Sequence, residues 1–105
     1  MSKKRQSKWY EQLAEGHPEF IQAVEELGKA VKDSGPLDKK TGHLIQLAAA
    51  TAYFSEGAVH SHVRRALEAG AQPDEIRHAV IMLTSTIGFP RVAAALSWVE
   101  DVIDS

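Results

Sequence analysis

The chain has 105 residues and no cysteine among them. That absence excludes disulfides, thiolate-ligated metals and every reaction that runs through a cysteine nucleophile or a thiol–disulfide cycle. Long apolar runs are missing as well. Nothing approaches the roughly 20 residues that span a bilayer, and MSKKRQSK is followed by WYEQLAEG rather than by an apolar signal core. No membrane partner is expected, and the cytoplasm is the expected location. Strand signals are equally scarce: there is no sustained polar–apolar alternation and no Asn-Gly hairpin turn. An excess of positive charge is lacking too. The net charge is −2, and although Lys3, Lys4, Arg5 and Lys8 crowd the amino terminus, the body has no basic stripe with interleaved aromatics. No nucleic-acid partner is expected.

Helix punctuation is plentiful. Composition is that of an ordinary chain with one modest core, 44% hydrophobic and 25% charged, so we expect a flexible basic tail over residues 1–8 and a single domain over 9–105. SKWYEQLAEG reads as a short helix. In GHPEFIQAVEELGKAVKDSGP, Pro18 falls in a first turn, Phe20, Ile21, Val24, Leu27 and Val31 keep helical spacing, and Ser34–Pro36 end the element. Asp38 is the expected N-cap of LDKKTGHLIQLAAATAYF. A break near Ser55–Gly57 precedes GAVHSHVRRALEA, which stops at Gly70. Pro73, with Asp74 and Glu75 in the first turn, opens AQPDEIRHAVIMLTSTIG, and Gly88 ends it. FPRVAAALSWVEDVID completes an all-α domain of five or six helices.

Two of these segments, AVIMLTSTIGF and VAAALSWV, carry few polar positions. So small a domain has too little interior for all of that surface, which points to an obligate homo-oligomer.

Chemistry-bearing residues concentrate in SEGAVHSHVRRALEAG, Ser55 to Gly70. His60 and His62 are two residues apart, about 200° around a helix, so they do not chelate together; His60 reads as a surface or interface residue. Ser55 is a helix N-cap or a hydrogen-bond donor to a ligand, and no Ser-His-Asp arrangement supports it as a nucleophile. Glu56 is a helix-start carboxylate or a partner of His62. Tyr53, Phe54 and Trp98 read as packing aromatics, and Arg91 as a lower-ranked anion anchor.

LDKKTGHLIQLAAA, then HSHVRRALEAGAQPDEIRHAV, then IGFPRVAAALSW resembles the carboxymuconolactone decarboxylase family, which also contains the alkylhydroperoxidase D-type thiol peroxidases. The resemblance spans about Leu37 to Val99. It implies an alkylhydroperoxidase D-like all-α fold, assembled as trimers or hexamers with sites near subunit interfaces. The peroxidase branch carries Cys-x-x-Cys with a His four residues beyond it. Aligning that His on His62 puts the cysteine positions at Ser55 and Ala58, a relay glutamate at His43 and a further His at Gly57. A serine hydroxyl, with its pKa far above neutrality, cannot form the thiolate or the sulfenic acid of that cycle, so peroxidase activity is not expected despite the family label.

The decarboxylase branch lacks the cysteine pair as well. It implies loss of carbon dioxide from a small carboxylated lactone, with the electrons held by the conjugated carbonyl and a proton returned to carbon. Such a step needs a cationic anchor, a donor at the developing oxyanion and a proton carrier tuned near neutrality. The resemblance assigns proton transfer to His62, assisted by Glu56 or His43. Arg64 and Arg65 are the candidate anchors, of which only one shares the face of His62, and Ser55 and His78 are candidate substrate contacts. His43 and His78 stand where the family often has glutamates. His43, His62 and His78 together could bind a divalent metal as neutral imidazoles or, as a titrating cluster, an anion. No H-E-x-x-H pattern is present, and no cofactor or metal is expected. The remaining alternative is a non-catalytic binding or structural oligomer on the same scaffold.

Overall fold

The computed structural model describes residues 8–104. Among these, the helices are α1 (Lys8–Gly16), α2 (Pro18–Lys32), α3 (Lys39–Ala52), α4 (Glu56–Glu68), α5 (Pro73–Ile81), α6 (Thr84–Ile87) and α7 (Phe89–Ile103), with no strand. Six of them have nine residues or more, and α6 is a four-residue turn of helix. The expectation of an all-α domain of five or six helices holds, with six full helices among the described residues. Residues 1–7 of the expected basic tail lie outside the described residues; Lys8 already opens α1. No helix of the described residues is long and apolar enough to cross a membrane.

The starts are chemical. Asp38 accepts a hydrogen bond from the Thr41 amide at 2.8 Å, and Ser55 accepts one from the Ala58 amide at 3.2 Å. Each satisfies a donor that the first helical turn leaves free. At α5 the Glu75 carboxylate turns back to the Gln72 amide at 2.8 Å, which fixes the loop that enters the helix. The expected single helix from Pro73 to Gly88 is broken instead. After Ile81 the Thr84 hydroxyl donates to the Ile81 carbonyl at 2.8 Å, a local bond that competes with helix continuation, and α6 starts at Thr84.

The ends of α3 and α4 are built alike. After α3 the Ser55 amide donates to the Ala50 carbonyl (3.0 Å) and the Phe54 amide to Thr51 (3.1 Å); after α4 the Ala71 and Gly70 amides do the same to Ala66 (2.9 Å) and Leu67 (3.1 Å). Both endings need a residue at positive φ. At α4 it is Gly70 (φ 100°), but at α3 it is Phe54 (φ 67°), a conformation that costs a residue with a Cβ about 1 kcal/mol. The Phe54 ring is held by Trp98, 5.0 Å away between centroids, and by the Arg91 guanidinium 4.8 Å above it.

The core lies between α3, α4, α5 and α7. Leu47, Val59, Val63, Ile76, Val80 and Val99 are among its fully buried members. At about 25 cal/mol per Å² of apolar surface, this shared interior is what holds the four helices together. Between α5 and α7 the Arg77 guanidinium makes a bidentate bridge to Glu100 at 2.6 and 2.9 Å. By contrast α2 rests mainly on α1, burying Ile21 and leaving Phe20, Val24, Leu27 and Val31 exposed.

Candidate functional site

His43, Leu47 and Ala50 recur at helical spacing along one face of α3, and Val59, His62, Val63 and Ala66 along the facing side of α4. The short link at Tyr53–Ser55 makes the two helices run back on each other, so the beginning of α3 meets the later part of α4. There the buried seam ends in two imidazoles. The Nδ1 atoms of His43 and His62 are 3.4 Å apart, with ring centroids 5.7 Å apart and planes tilted by 38°. A hydrogen bond between two Nδ1 atoms needs one proton between them. In the uncharged pair one ring therefore donates from Nδ1 and keeps a bare Nε2, while the other accepts at Nδ1 and keeps its proton on Nε2.

Both rings are held uncharged. Burial, followed by the Lys32 ammonium, then His62, Arg65 and Lys39, pushes His43 down to about 4. Burial, then Lys32 and Arg65, push His62 down to about 4. Desolvation and like charge act in the same direction on an imidazole.

Lys32, the last residue of α2, brings its charge here by crossing to α3, where Nζ donates to the Gln46 side-chain oxygen at 2.6 Å. Its stem runs over Gly42. A Cβ on Gly42 would lie 2.9 Å from Lys32 Cδ and 3.3 Å from Cε, so the missing side chain makes room for the crossing. Burial and the Arg65 charge both lower the Lys32 pKa. Arg65, three residues beyond His62 on α4, donates from Nε to the Ser61 hydroxyl at 3.2 Å. Among the described residues no ion pair includes Lys32 or Arg65. Beside Lys32 a cleft of about 220 Å³ is walled by Val31, Pro36, Leu37 and Ile45, with Lys32, Gln46 and Asp38 as its polar groups.

The other candidates lie elsewhere. Glu56 stands beside His60, not His62: its carboxylate is 4.0 Å from His60 Nε2, which also meets Asp101 at 3.0 Å. These three residues bring their donor atoms within 4.8 Å of one another, a partly exposed tie between α4 and α7 built on the His60–Asp101 hydrogen bond. His43, His62 and His78 form no such group; His78 is exposed on α5. Ser55 uses its hydroxyl as the cap of α4, bonded to Ala58. Arg64 is partly buried, its pKa lowered chiefly by burial and then by Arg65, whereas Arg65 is the arginine whose charge reaches both imidazoles. Arg91 donates to the Ala52 carbonyl at 3.3 Å. Lys32 and Gln46 are the members that sequence reasoning missed. The one local signal was Gly42, a glycine in the first turn of a helix.

The chain has known relatives. A sequence model of the carboxymuconolactone decarboxylase family matches residues 18–101. An uncharacterized protein of Methanocaldococcus jannaschii is 32% identical over 85 residues, covering 81% of this chain and 79% of that protein. No solved structure matches.

Proposed function

The chain belongs to the carboxymuconolactone decarboxylase family, and on that premise we propose that it is a cofactor-free lyase or isomerase acting on a small carboxylated lactone or a related anion through the His43–His62 pair. The observation that carries this reading is the pair itself: two uncharged imidazoles, Nδ1 to Nδ1 at 3.4 Å, beside two cations that no carboxylate pairs with among the described residues. A thiol-cycling peroxidase reaction is excluded because the chain has no cysteine.

In this reading Lys32 and Arg65 hold the substrate carboxylate and face the oxygen on which charge develops. The carbon–carboxyl bond breaks, carbon dioxide leaves, and the electron pair passes into the conjugated carbonyl. His62 then returns its Nε2 proton to carbon as it accepts the shared Nδ1 proton from His43, and His43 takes a proton from water at Nε2, so neither ring is left as an anion. Positioned proton transfer of this kind contributes about 10²–10⁴ in rate. Ser55 and Glu56, tied to the α4 cap and to His60, support the helix rather than the substrate, and Arg64 and His78 rank below Arg65 as anchors because neither has a charge that reaches the pair.

The site is proposed to work within a homo-oligomer, a trimer or hexamer. Leu27 is 63% exposed and Phe20 57% exposed on the outer face of α2, an apolar surface of the sort that subunit contacts cover. That same face favours the second reading, a binding or structural oligomer without chemistry.

The two separate in one experiment. The protein, incubated with carboxylated lactones in deuterium oxide, is expected to release carbon dioxide and place deuterium on the product carbon. His62→Ala should lose at least 100-fold and His43→Ala about 10-fold or more. Equal, background-level rates for all three proteins would sink the catalytic reading.

A further inference from the structure

Glu56, His60 and Asp101 take no part in the chemistry of the His43–His62 pair. Glu56 and His60 are four residues apart on α4, which turns them to one side of the helix, and Asp101 reaches the same imidazole from α7. His60 Nε2 lies 3.0 Å from Asp101 Oδ2 and 4.0 Å from Glu56 Oε2. One ligand atom from each of the three residues lies within 4.8 Å of the others. The backbone beneath them is fixed, because Val59 and Val63 on α4 and Val99 and Val102 on α7 are buried in the core. Charge in the cluster does not balance. Among the described residues neither carboxylate pairs with a lysine or arginine, and one imidazole, even when protonated, offsets only one of the two. Hydrogen bonding does not balance either. Nε2 carries at most one proton, and when it does Asp101 is the acceptor in reach, so Glu56 faces the ring without one.

We propose that Glu56, His60 and Asp101 form a binding site for a divalent transition metal of the zinc type, independent of the lyase reading. The metal takes the place of the Nε2 proton. With its proton on Nδ1, the neutral ring presents a lone pair at Nε2 to a point shared with the two carboxylates. Zinc bonds to nitrogen and oxygen are about 2.0–2.2 Å long, so the ligand atoms of a tetrahedral site stand about 3.4 Å apart. The observed separations of 3.0 and 4.0 Å fall on either side of that value, and rotation of the exposed carboxylates about their terminal bonds closes the difference. Two carboxylates and a neutral imidazole also cancel the charge of a dication. The donor set selects the class of metal: magnesium and calcium favour all-oxygen shells, whereas imidazole suits zinc and its neighbours. Three protein ligands leave the fourth position to water, and the half-buried ring between two exposed carboxylates keeps that position open to solvent. The ion fastens the first half of α4 to the end of α7. No local motif announces the site, since Asp101 lies 41 residues from His60.

Isothermal titration of the full chain with zinc chloride at neutral pH, on protein made without a polyhistidine tag and stripped with a chelator, tests the site. The expected result is one zinc ion per chain at micromolar affinity, with a Tm several degrees higher at saturating zinc. Glu56→Gln and Asp101→Asn keep the side-chain shapes and should each weaken zinc about 10-fold or more. His60→Gln should weaken it further, and all three variants are checked for native helicity. His43→Ala should bind zinc as the wild type does. In side-chain ¹⁵N spectra zinc should move the His60 Nε2 signal and leave those of His43 and His62 in place. Absence of zinc binding by the folded wild-type chain would overturn the proposal. So would binding that the three variants leave unchanged, a zinc response at His43 and His62 instead of His60, or equal affinity for magnesium.

Discussion

His43 on α3 and His62 on α4 meet Nδ1 to Nδ1 at 3.4 Å, at the end of the seam where these helices pack. Among the described residues neither ring is paired with a carboxylate, and the Lys32 and Arg65 cations oppose its charge. Stability, ligand preference and proton chemistry follow from that one contact and its surroundings.

The first consequence is a pH dependence of folding. Both histidines fall from 6.5 to about 4 in the folded chain, so between those values the unfolded chain binds more protons than the native one. Their stabilising contribution is complete above about pH 6.5 and is lost as the pH falls toward 4. The slope approaches about 1.4 kcal/mol per pH unit for each fully withheld proton, reduced here because both rings are partly exposed. Thermal melting should show a lower Tm at pH 5 than at pH 7. Lys32→Gln should shrink the difference, and an unchanged Tm across that range would contradict the charge-free pair.

Gly42 offers a separate handle. A methyl there would displace the Lys32 stem, which passes 2.9 Å from the Cβ position. Gly42→Ala should leave Tm unchanged or higher, because alanine favours a helix by about 1 kcal/mol. It should also raise the pKa values of His43 and His62. Wild-type histidine titration in this variant would show that Lys32 does not need the gap.

The positive φ of Phe54 predicts an inverted size order. Phe54→Gly and Phe54→Ala both lose the contacts with Trp98 and Arg91, but only alanine keeps the backbone cost. Phe54→Gly should therefore melt about 4–8 °C above Phe54→Ala. The opposite order would mean that the backbone at residue 54 is not held at positive φ.

The outer face of α2 predicts assembly. Light scattering at micromolar concentration should give a trimer or hexamer, and Leu27→Glu should shift it to smaller species with native helicity. A wild-type monomer would remove the oligomer from the account.

Local chemistry was legible in the sequence; long-range convergence was not. Pro18, Asp38, Ser55 and Pro73 announce helix starts because capping and first-turn preferences act within four residues. Gly70 announces an end for the same reason. The break after Ile81 was hidden, since the apolar pattern runs through it and only the Thr84 hydroxyl ends the helix. Glu56 was offered as a partner for His62, yet at four residues' spacing on one helix it faces His60, as helical geometry requires. His62 and His43 were both marked through the family resemblance, but their contact depends on how α4 folds back on α3. Lys32 left only the indirect trace of Gly42, because its partner Gln46 is 14 residues away on another helix.

Side-chain ¹⁵N spectra of the free protein, titrated from pH 8 to pH 4, test the central claim most directly. The account predicts that His43 and His62 are both uncharged at pH 6, one protonated on Nδ1 and the other on Nε2, with neither reaching half-protonation above about pH 5. Two independent titrations near pH 6.5, or matching tautomers without a shared Nδ1 proton, would contradict it.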